Sequence, residues 1–292
     1  MKGIILAGGS GTRLAPLTNV MSKQLLPVYD KPMICYPLAT LMSIGIRQIL
    51  IISTPQDLPN IEKFLGDGRD LGIEIQYKVQ EEPRGIADAF IVGAKFIGQD
   101  SISLILGDNI FYGSEISSHN LQENFNKVQT GEIGAYVFAY HVSDPQRYGV
   151  VEFDDKDLAV GIEEKPKNPK SNWAATGFYI YNNQVVDIAK NLVPSARGEI
   201  EITDVNKFYL DNKKLGVIKL KRGFAWLDAG TPDSLLDAAK FIQTIEKRQG
   251  LKIACLEELS YHQGFIDKTK LEKLAERYKK SSDYRKYLDN IE

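Results

Sequence analysis

Histidine and cysteine are scarce in this 292-residue chain: three of the first, His119, His141 and His262, and two of the second, Cys35 and Cys255. No His stands at metal-ligand spacing from another His or Cys, which removes a zinc site of the usual kind. The two cysteines sit in apolar surroundings outside any CxxC pair, so they read as separate buried thiols in a reducing compartment. Charge of one sign is also missing: 36 Lys and Arg against 38 Asp and Glu leave a net −2. That balance argues against nucleic acid or an anionic membrane as a partner, and an anion site must gather its cations locally. Long apolar runs are absent too. The first run, Lys2 to Ala7, stops at Gly8-Gly9, too soon for a signal peptide, and nothing approaches the length of a membrane span. The expectation is a cytoplasmic protein with an ordinary packed core.

What is present is alternation. Lys2 to Ala7 reads as a strand and 34–45 as a helix ending at Gly45. A strand follows over 48–54, a helix over 58–65 closed by Gly66, a strand over 73–79, a helix over 86–97 and a buried strand over 101–106. This βαβαβαβ order predicts a Rossmann-like α/β fold, with a mixed, mostly parallel central sheet and helices on both faces. The second half is richer in strands, over 132–140, 149–153, 159–163 and 175–181. A hairpin turn is expected at Asp154-Asp155-Lys156-Asp157, and helices over 201–211 and 232–249. The charged tail over 257–292 carries Leu, Tyr and Ile at intervals and reads as helical. The expected organisation is one domain over 1–240 and a C-terminal helical segment over 241–292.

The strongest local pattern is Leu6-Ala7-Gly8-Gly9-Ser10-Gly11-Thr12-Arg13-Leu14, directly after the first strand. Glycines let a backbone bend tightly and bring its N–H groups close to an anion. Ligands of open α/β sheets bind beyond the carboxyl ends of strands, where this loop lies. It is not a P-loop, because no Gly-Lys-Ser/Thr closes it. It is not a full dinucleotide fingerprint either, since Leu14 stands where a third glycine belongs. Arg13 and Lys23 add fixed positive charge, and together these residues point to phosphate binding. Two acids follow apolar stretches, Asp108 in Leu106-Gly107-Asp108-Asn109 and Asp228 in Trp226-Leu227-Asp228-Ala229. Each has a plainer alternative: Asp108 could start a turn, and Asp228 could cap the helix opening near Pro232. Converging on a triphosphate, the pair would suit Mg²⁺, which takes one or two carboxylates besides phosphate oxygens and water.

The loop, continued through Ala15-Pro16-Leu17-Thr18 and Ser22-Lys23-Gln24-Leu25-Leu26-Pro27-Val28, resembles the signature of sugar-nucleotide pyrophosphorylases. Tyr29-Asp30-Lys31-Pro32-Met33 and Tyr36-Pro37-Leu38 are similar to the thymidylyltransferase branch of that family. The resemblance covers nearly the whole chain. It implies condensation of dTTP with glucose 1-phosphate to dTDP-glucose and pyrophosphate, the entry to dTDP-deoxysugars such as dTDP-rhamnose. It implies a nucleotide-binding part over about 1–130 and a sugar-binding part over about 131–230. Leu6, Gly8, Gly9, Ser10, Gly11, Thr12, Gln80 and Gly85 would contact the nucleotide, with Gln80 and Gly85 at the base. Arg13, Lys23 and Lys165 would be catalytic, Lys165 at the sugar phosphate. Asn109, Tyr148, Gly149, Glu164, Ala175 and Arg197 would face the sugar or its phosphate, and Asp108 and Asp228 would hold Mg²⁺. Around the base segment, relatives more often carry Leu where Ile86 stands and Gln where Asp88 stands. The family usually forms homotetramers, and many members are inhibited by a dTDP-deoxysugar at a separate site.

No Ser, Cys or His arrangement for nucleophilic catalysis is visible, and the implied reaction needs none, because a phosphate oxygen is already deprotonated. Two other readings stay open: a UTP- or CTP-using enzyme of the same fold, since Gln80 cannot alone tell thymine from uracil, and a non-catalytic nucleotide-sugar-binding protein.

Overall fold

The computed structural model describes residues 1–9, 11–113, 116 and 119–292. Strand β1 (Lys2–Ala7) leads through three single helical turns into a small hairpin, β2 (Pro27–Val28) and β3 (Lys31–Pro32). Then come α1 (Cys35–Ser43), β4 (Gln48–Ser53), α2 (Leu58–Leu65), β5 (Glu74–Val79), α3 (Asp88–Val92), α4 (Ala94–Ile97), β6 (Ile102–Leu106) and β7 (Asn109–Tyr112). The second half runs α5 (His119–Gln129), β8 (Ala135–His141), β9 (Gly149–Phe153), β10 (Ala159–Glu164), β11 (Trp173–Tyr181), α6 (Val185–Asn191), α7 (Ile202–Asp211), β12 (Leu215–Leu220), β13 (Ala225–Asp228) and α8 (Pro232–Gln249). Helices α9 (Leu256–His262), α10 (Lys268–Ala275) and α11 (Asp283–Asp289) end the chain.

The main sheet runs β10-β9-β11-β6-β1-β4-β5, with β8 also on β11 and β12 on β8. Strands β6, β1, β4 and β5 are mutually parallel, while β11 joins β6 antiparallel, giving the mixed α/β sheet expected. Period-2 alternation sorts side chains to two cores. Ile5, Ile49, Ile51, Ile105, Phe138 and Phe178 face α1, α2 and α5. Their neighbours Ile4, Leu50, Ile52, Leu104, Val137 and Tyr179 face α3, α4, α6 and α7. Helices therefore cover both faces. Among the described residues, no helix is long and apolar enough to cross a membrane.

The helix expected over 86–97 begins only at Asp88 and breaks at Gly93. Residues before it are held otherwise: Ala87 N donates to Ile200 O at 3.2 Å, and Ile200 N to Arg84 O at 2.7 Å. The tail is helical as read, but in three short pieces. Gly264, at φ +67°, ends the first, while Asp267 and Ser282 cap the next two through the N–H groups of Lys270 and Arg285. Helices α5 and α6 and strand β12 were not anticipated. At 154–157 the expected turn forms, with the Asp154 carboxylate accepting from the N–H groups of Lys156 (3.0 Å) and Leu158 (2.9 Å). Both cysteines are buried.

Candidate active site

Strands β1 and β6 lie side by side and point the same way, so the loops after them meet. Gly107 N donates to Leu6 O at 2.9 Å, which sets Asp108 beside the glycine loop. Lys23 comes from the turn before β2, is 6% exposed, and forms an ion pair with Asp108. Behind Asp108, Asn109 is buried and donates from Nδ2 to Asp108 Oδ1 at 2.8 Å. Its Oδ1 accepts from Gly177 N at 3.1 Å and Trp226 Nε1 at 2.6 Å. This buried amide therefore fixes the rotamer of the acid in front of it.

Strand β13 pairs antiparallel with β7, which sets Asp228 opposite Asn109. Ala229 N donates to Asp108 O at 3.1 Å, so the second acid reaches the first across the two-stranded ribbon. A side chain at Gly230 would meet the Arg13 guanidinium at 3.2 Å and the Lys23 ammonium at 3.8 Å. Loop, cations and both acids thus gather, although they span more than 200 residues of sequence. Asp228 does not cap α8, which is capped by Thr231 and Ser234.

The electrostatics are asymmetric. Burial alone would raise the carboxyl of Asp108, but the Lys23 charge and hydrogen bonds from Lys23 and Asn109 hold it below the ordinary range. For Asp228, burial wins: its carboxyl is pushed up, and the Asp108 charge adds to this against Arg147, Lys23 and Arg13. Asp108 is thus held as the charged partner of Lys23, while burial makes the charge of Asp228 the costlier of the two.

A cavity of about 300 Å³ opens here, lined by Leu6, Gly8, Gly9, Gly11, Thr12, Arg13, Lys23, Gln80, Gly85 and Asp108. All the expected nucleotide-side positions lie on it except Ser10, which falls outside the described residues. Gly85, at φ +100°, is pressed onto the neighbouring chain: a Cβ there would lie 2.5 Å from Ile200 O, so only glycine fits.

The sugar-side residues form a second group. A Cβ on Gly149 would meet Glu164 Oε2 at 3.3 Å and the Ala175 methyl at 3.8 Å. Tyr148 packs on Trp226 with ring centroids 5.1 Å apart. Its hydroxyl is pushed up to about 12 by burial and then by the charge of Asp228, which ties this group to the acids. Lys165 donates its N–H to Tyr148 O at 3.0 Å, and its half-exposed ammonium lies 3.2 Å from Glu164. Arg197 is half-exposed at the rim, 2.9 Å from Glu201 and 3.5 Å from Glu199.

Three residues that carried no role in the sequence belong here. Arg147 reaches Asp228 at 3.5 Å. Thr203 donates its hydroxyl to Glu164 Oε2 at 2.6 Å. Trp226 fixes Asn109. Arg147 and Trp226 are sequence neighbours of expected site residues, and Thr203 lies in the 194–204 segment that carries Arg197, weak signals that all three share the site.

Among the described residues, no group of three or more His, Cys, Asp or Glu could hold a metal alone. Two converging acids fit a hard divalent cation that completes its shell with phosphate oxygens and water.

The parallel half of the mixed sheet thus ends in a glycine loop with a buried lysine and two carboxylates beside it, a setting suited to a nucleotide-handling enzyme. The chain belongs to the nucleotidyl transferase family, whose model matches residues 2–245. Within it, the chain is 54% identical over 288 residues to a glucose-1-phosphate thymidylyltransferase of Neisseria meningitidis, covering 99% of this chain and 98% of that one. A glucose-1-phosphate thymidylyltransferase of Mycobacterium tuberculosis is also 54% identical, with the same coverage. A crystal structure from Bacillus anthracis, described as a glucose-1-phosphate thymidylyltransferase in complex with a sucrose, superposes with a TM-score of 0.76. It is 42% identical and covers 82% of this chain and 94% of its own.

Proposed function

We propose that the chain is a glucose-1-phosphate thymidylyltransferase, joining dTTP and glucose 1-phosphate into dTDP-glucose with release of pyrophosphate. The observation that carries this reading is the meeting of Asp108, Lys23 and Arg13 on the glycine-loop cavity, with Asp228 drawn toward them by the hydrogen bond from Ala229 N to Asp108 O.

Both reactants are anions, so bringing them together is the main obstacle. Two unit charges 4 Å apart interact by about 4 kcal/mol at an effective dielectric near 20, and several such pairs must be countered. The backbone of the glycine loop and Arg13 bind the triphosphate, while Lys23 keeps a buried positive charge beside it. Gln80 and Gly85 hold the base. Tyr148, Gly149, Glu164 and Ala175 hold the hexose, and Lys165 and Arg197 meet its phosphate. Asp108 and Asp228 would hold Mg²⁺, and the cation would supply charge neutralisation at the phosphates. The attacking phosphate oxygen carries no proton to remove, so the chain supplies positioning and charge rather than a base. A nucleotide-side part over about 1–130, a sugar-side part over about 131–230 and a C-terminal segment over 241–292 describe the division of labour.

Pyrophosphate release from dTTP and glucose 1-phosphate, with and without Mg²⁺ and against UTP, tests the reading. No release in any arm would leave a nucleotide-sugar-binding protein as the better account. Lys165→Ala should cut turnover strongly with the fold intact, and normal turnover would remove Lys165 from the mechanism. By resemblance the enzyme works as a cytoplasmic homotetramer inhibited by a dTDP-deoxysugar at a separate site. A second cavity of about 640 Å³, lined by Tyr112, Gly113, Gly223, Lys252, Glu258 and His262, supports such an effector site. Light scattering and inhibition by dTDP-deoxysugars check both.

A further inference from the structure

Gln80 sits one residue beyond β5, and its backbone N–H donates to Ser53 O at 2.8 Å. Its side chain is buried, yet Oε1 stays open to the nucleotide cavity: a Cβ on Gly8, in the floor of that cavity, would meet it at 2.7 Å. Among the described residues no donor reaches Oε1. The other end of the amide is taken. Nε2 donates to Asp88 Oδ2 at 2.8 Å and lies 3.4 Å from Gly85 O. Asp88 is 3% exposed, opens α3, and turns its other oxygen toward Arg84 Nε at 3.9 Å.

An amide has a donor end and an acceptor end, and its orientation follows from its partners. An ionised carboxylate can only accept. A flipped Gln80 would set Oε1 against Asp88 Oδ2 at the same separation, two acceptors facing each other in a buried site. The Gly85 carbonyl opposes the flip weakly at 3.4 Å, and the carboxylate at 88, the nearer acceptor at 2.8 Å, supplies the main barrier that a neutral partner would lower.

We infer that Asp88 is a specificity-determining positioning residue: it locks Gln80 so that the base meets a lone hydrogen-bond acceptor, selecting pyrimidines that carry N3–H and rejecting cytosine. Thymine and uracil are imides whose N3 donates. Cytosine N3 accepts, and facing Oε1 it would leave two buried acceptors unpaired. A site built to hydrogen-bond one group discriminates strongly against an analogue that cannot reciprocate. The lock reads the imide and not the 5-methyl group, so it makes no distinction between thymine and uracil. This inference rests on Gln80 as the base-reading residue, as proposed above.

The test is kcat/KM by pyrophosphate release with glucose 1-phosphate and dTTP, dUTP or dCTP. It is run on the full-length protein, Asp88→Asn, Asp88→Glu and Gln80→Ala, each checked by circular dichroism. Asp88→Asn is nearly isosteric but can donate or accept, so Gln80 can turn. The dTTP:dCTP ratio should fall by about 10-fold or more, the scale of one buried unpaired group. The dTTP:dUTP ratio should not move, and Asp88→Glu, still acceptor-only, should keep the dTTP:dCTP ratio near the parent's. A merely structural role would lower all three nucleotides together. If Asp88→Asn does not fold, the neutral Asp88→Ser is read the same way. A dTTP:dCTP ratio unchanged in the neutral variant but collapsed in Gln80→Ala overturns the lock and leaves Gln80 as base reader. A ratio unchanged in Gln80→Ala as well overturns both.

Discussion

Replacing Lys23 by Met keeps the stem and removes the charge. The side chains of Lys23 and Asp108 are 7% and 25% exposed, so the pair is mostly withdrawn from water. Without it, Asp108 keeps the Asn109 hydrogen bond at 2.8 Å but faces the buried, already disfavoured charge of Asp228. Breaking a buried pair from one side costs about 3–5 kcal/mol. An upper bound comes from letting the stranded carboxyl take up a proton at pH 7. From its ordinary value of 3.8 this costs about 4 kcal/mol, at 1.36 kcal/mol per pH unit. Partial exposure of Asp108 lowers the expected loss to about 2–4 kcal/mol. Urea unfolding at pH 7 measures it. The same variant tests the cation site without reference to turnover. A divalent cation held by Asp108 and Asp228 would replace the missing ammonium, so millimolar Mg²⁺ should stabilise Lys23→Met by about 1 kcal/mol more than the parent. Equal stability of variant and parent, within about 0.5 kcal/mol, would show that Lys23 does not compensate Asp108. No extra gain from Mg²⁺ would refute the pairing of the two acids as a cation site.

Gly85→Ala forces a methyl to 2.5 Å from Ile200 O at φ +100°, so stability should fall by about 2–4 kcal/mol and KM should rise for dTTP more than for glucose 1-phosphate. Thr203→Val removes the 2.6 Å hydrogen bond to Glu164, and steady-state kinetics should show KM for glucose 1-phosphate up by about 10-fold with KM for dTTP unchanged. Asp70 ties the tail to the body through Lys270 at 2.5 Å and through Arg277, and hydrogen bonds from these two lower its carboxyl from 3.8 to about 2. Because the folded value lies below the unfolded one, this contribution is complete above 3.8 and disappears as pH falls through about 2. The side chain is 47% exposed, so Asp70→Asn should cost under about 1 kcal/mol at neutral pH in thermal melts, and less in 1 M salt.

The parallel half of the sheet was readable because β1, β4 and β6 are apolar runs, because edge strand β5 alternates polar and apolar residues after Gly72, and because α1 and α2 show helical spacing. The glycine loop and its cations were readable for the same local reason. What escaped was non-local. Helix α5, with His119 to Gln129 mostly polar, offers only a narrow apolar stripe. Strand β12 is recognisable chiefly through its partner β8, as Leu215 to Leu220 pairs in parallel with Ala135 to Tyr140. Asn109 matched a family contact, but its neighbours showed no sign that the amide would be spent on Gly177, Trp226 and Asp108. Asp88 stood out as a departure from the usual residue, yet its meaning needed the 2.8 Å contact with Gln80. Spacing along the chain shows which residue types are available; only the packed sheet shows which partners consume them.

That distinction also orders the cations of the site. Lys165 rests on Glu164, Arg197 on Glu201 and Arg147 on Asp144 and Asp228, and all three are about half-exposed. Pairs at that exposure contribute roughly 0–1 kcal/mol, so an arriving phosphate can take the cation away from its carboxylate at little cost. Lys23 is different, because the same exchange would strand a mostly buried Asp108. The mobile cations therefore suit the sugar phosphate, which must arrive and later leave as part of the product. The fixed one suits the triphosphate side, where the charge must already be in position before the second anion approaches. Arg13, exposed on the proposed triphosphate side, lies outside this division, so burial sets Lys23 apart from the paired surface cations and does not by itself assign each cation to a substrate.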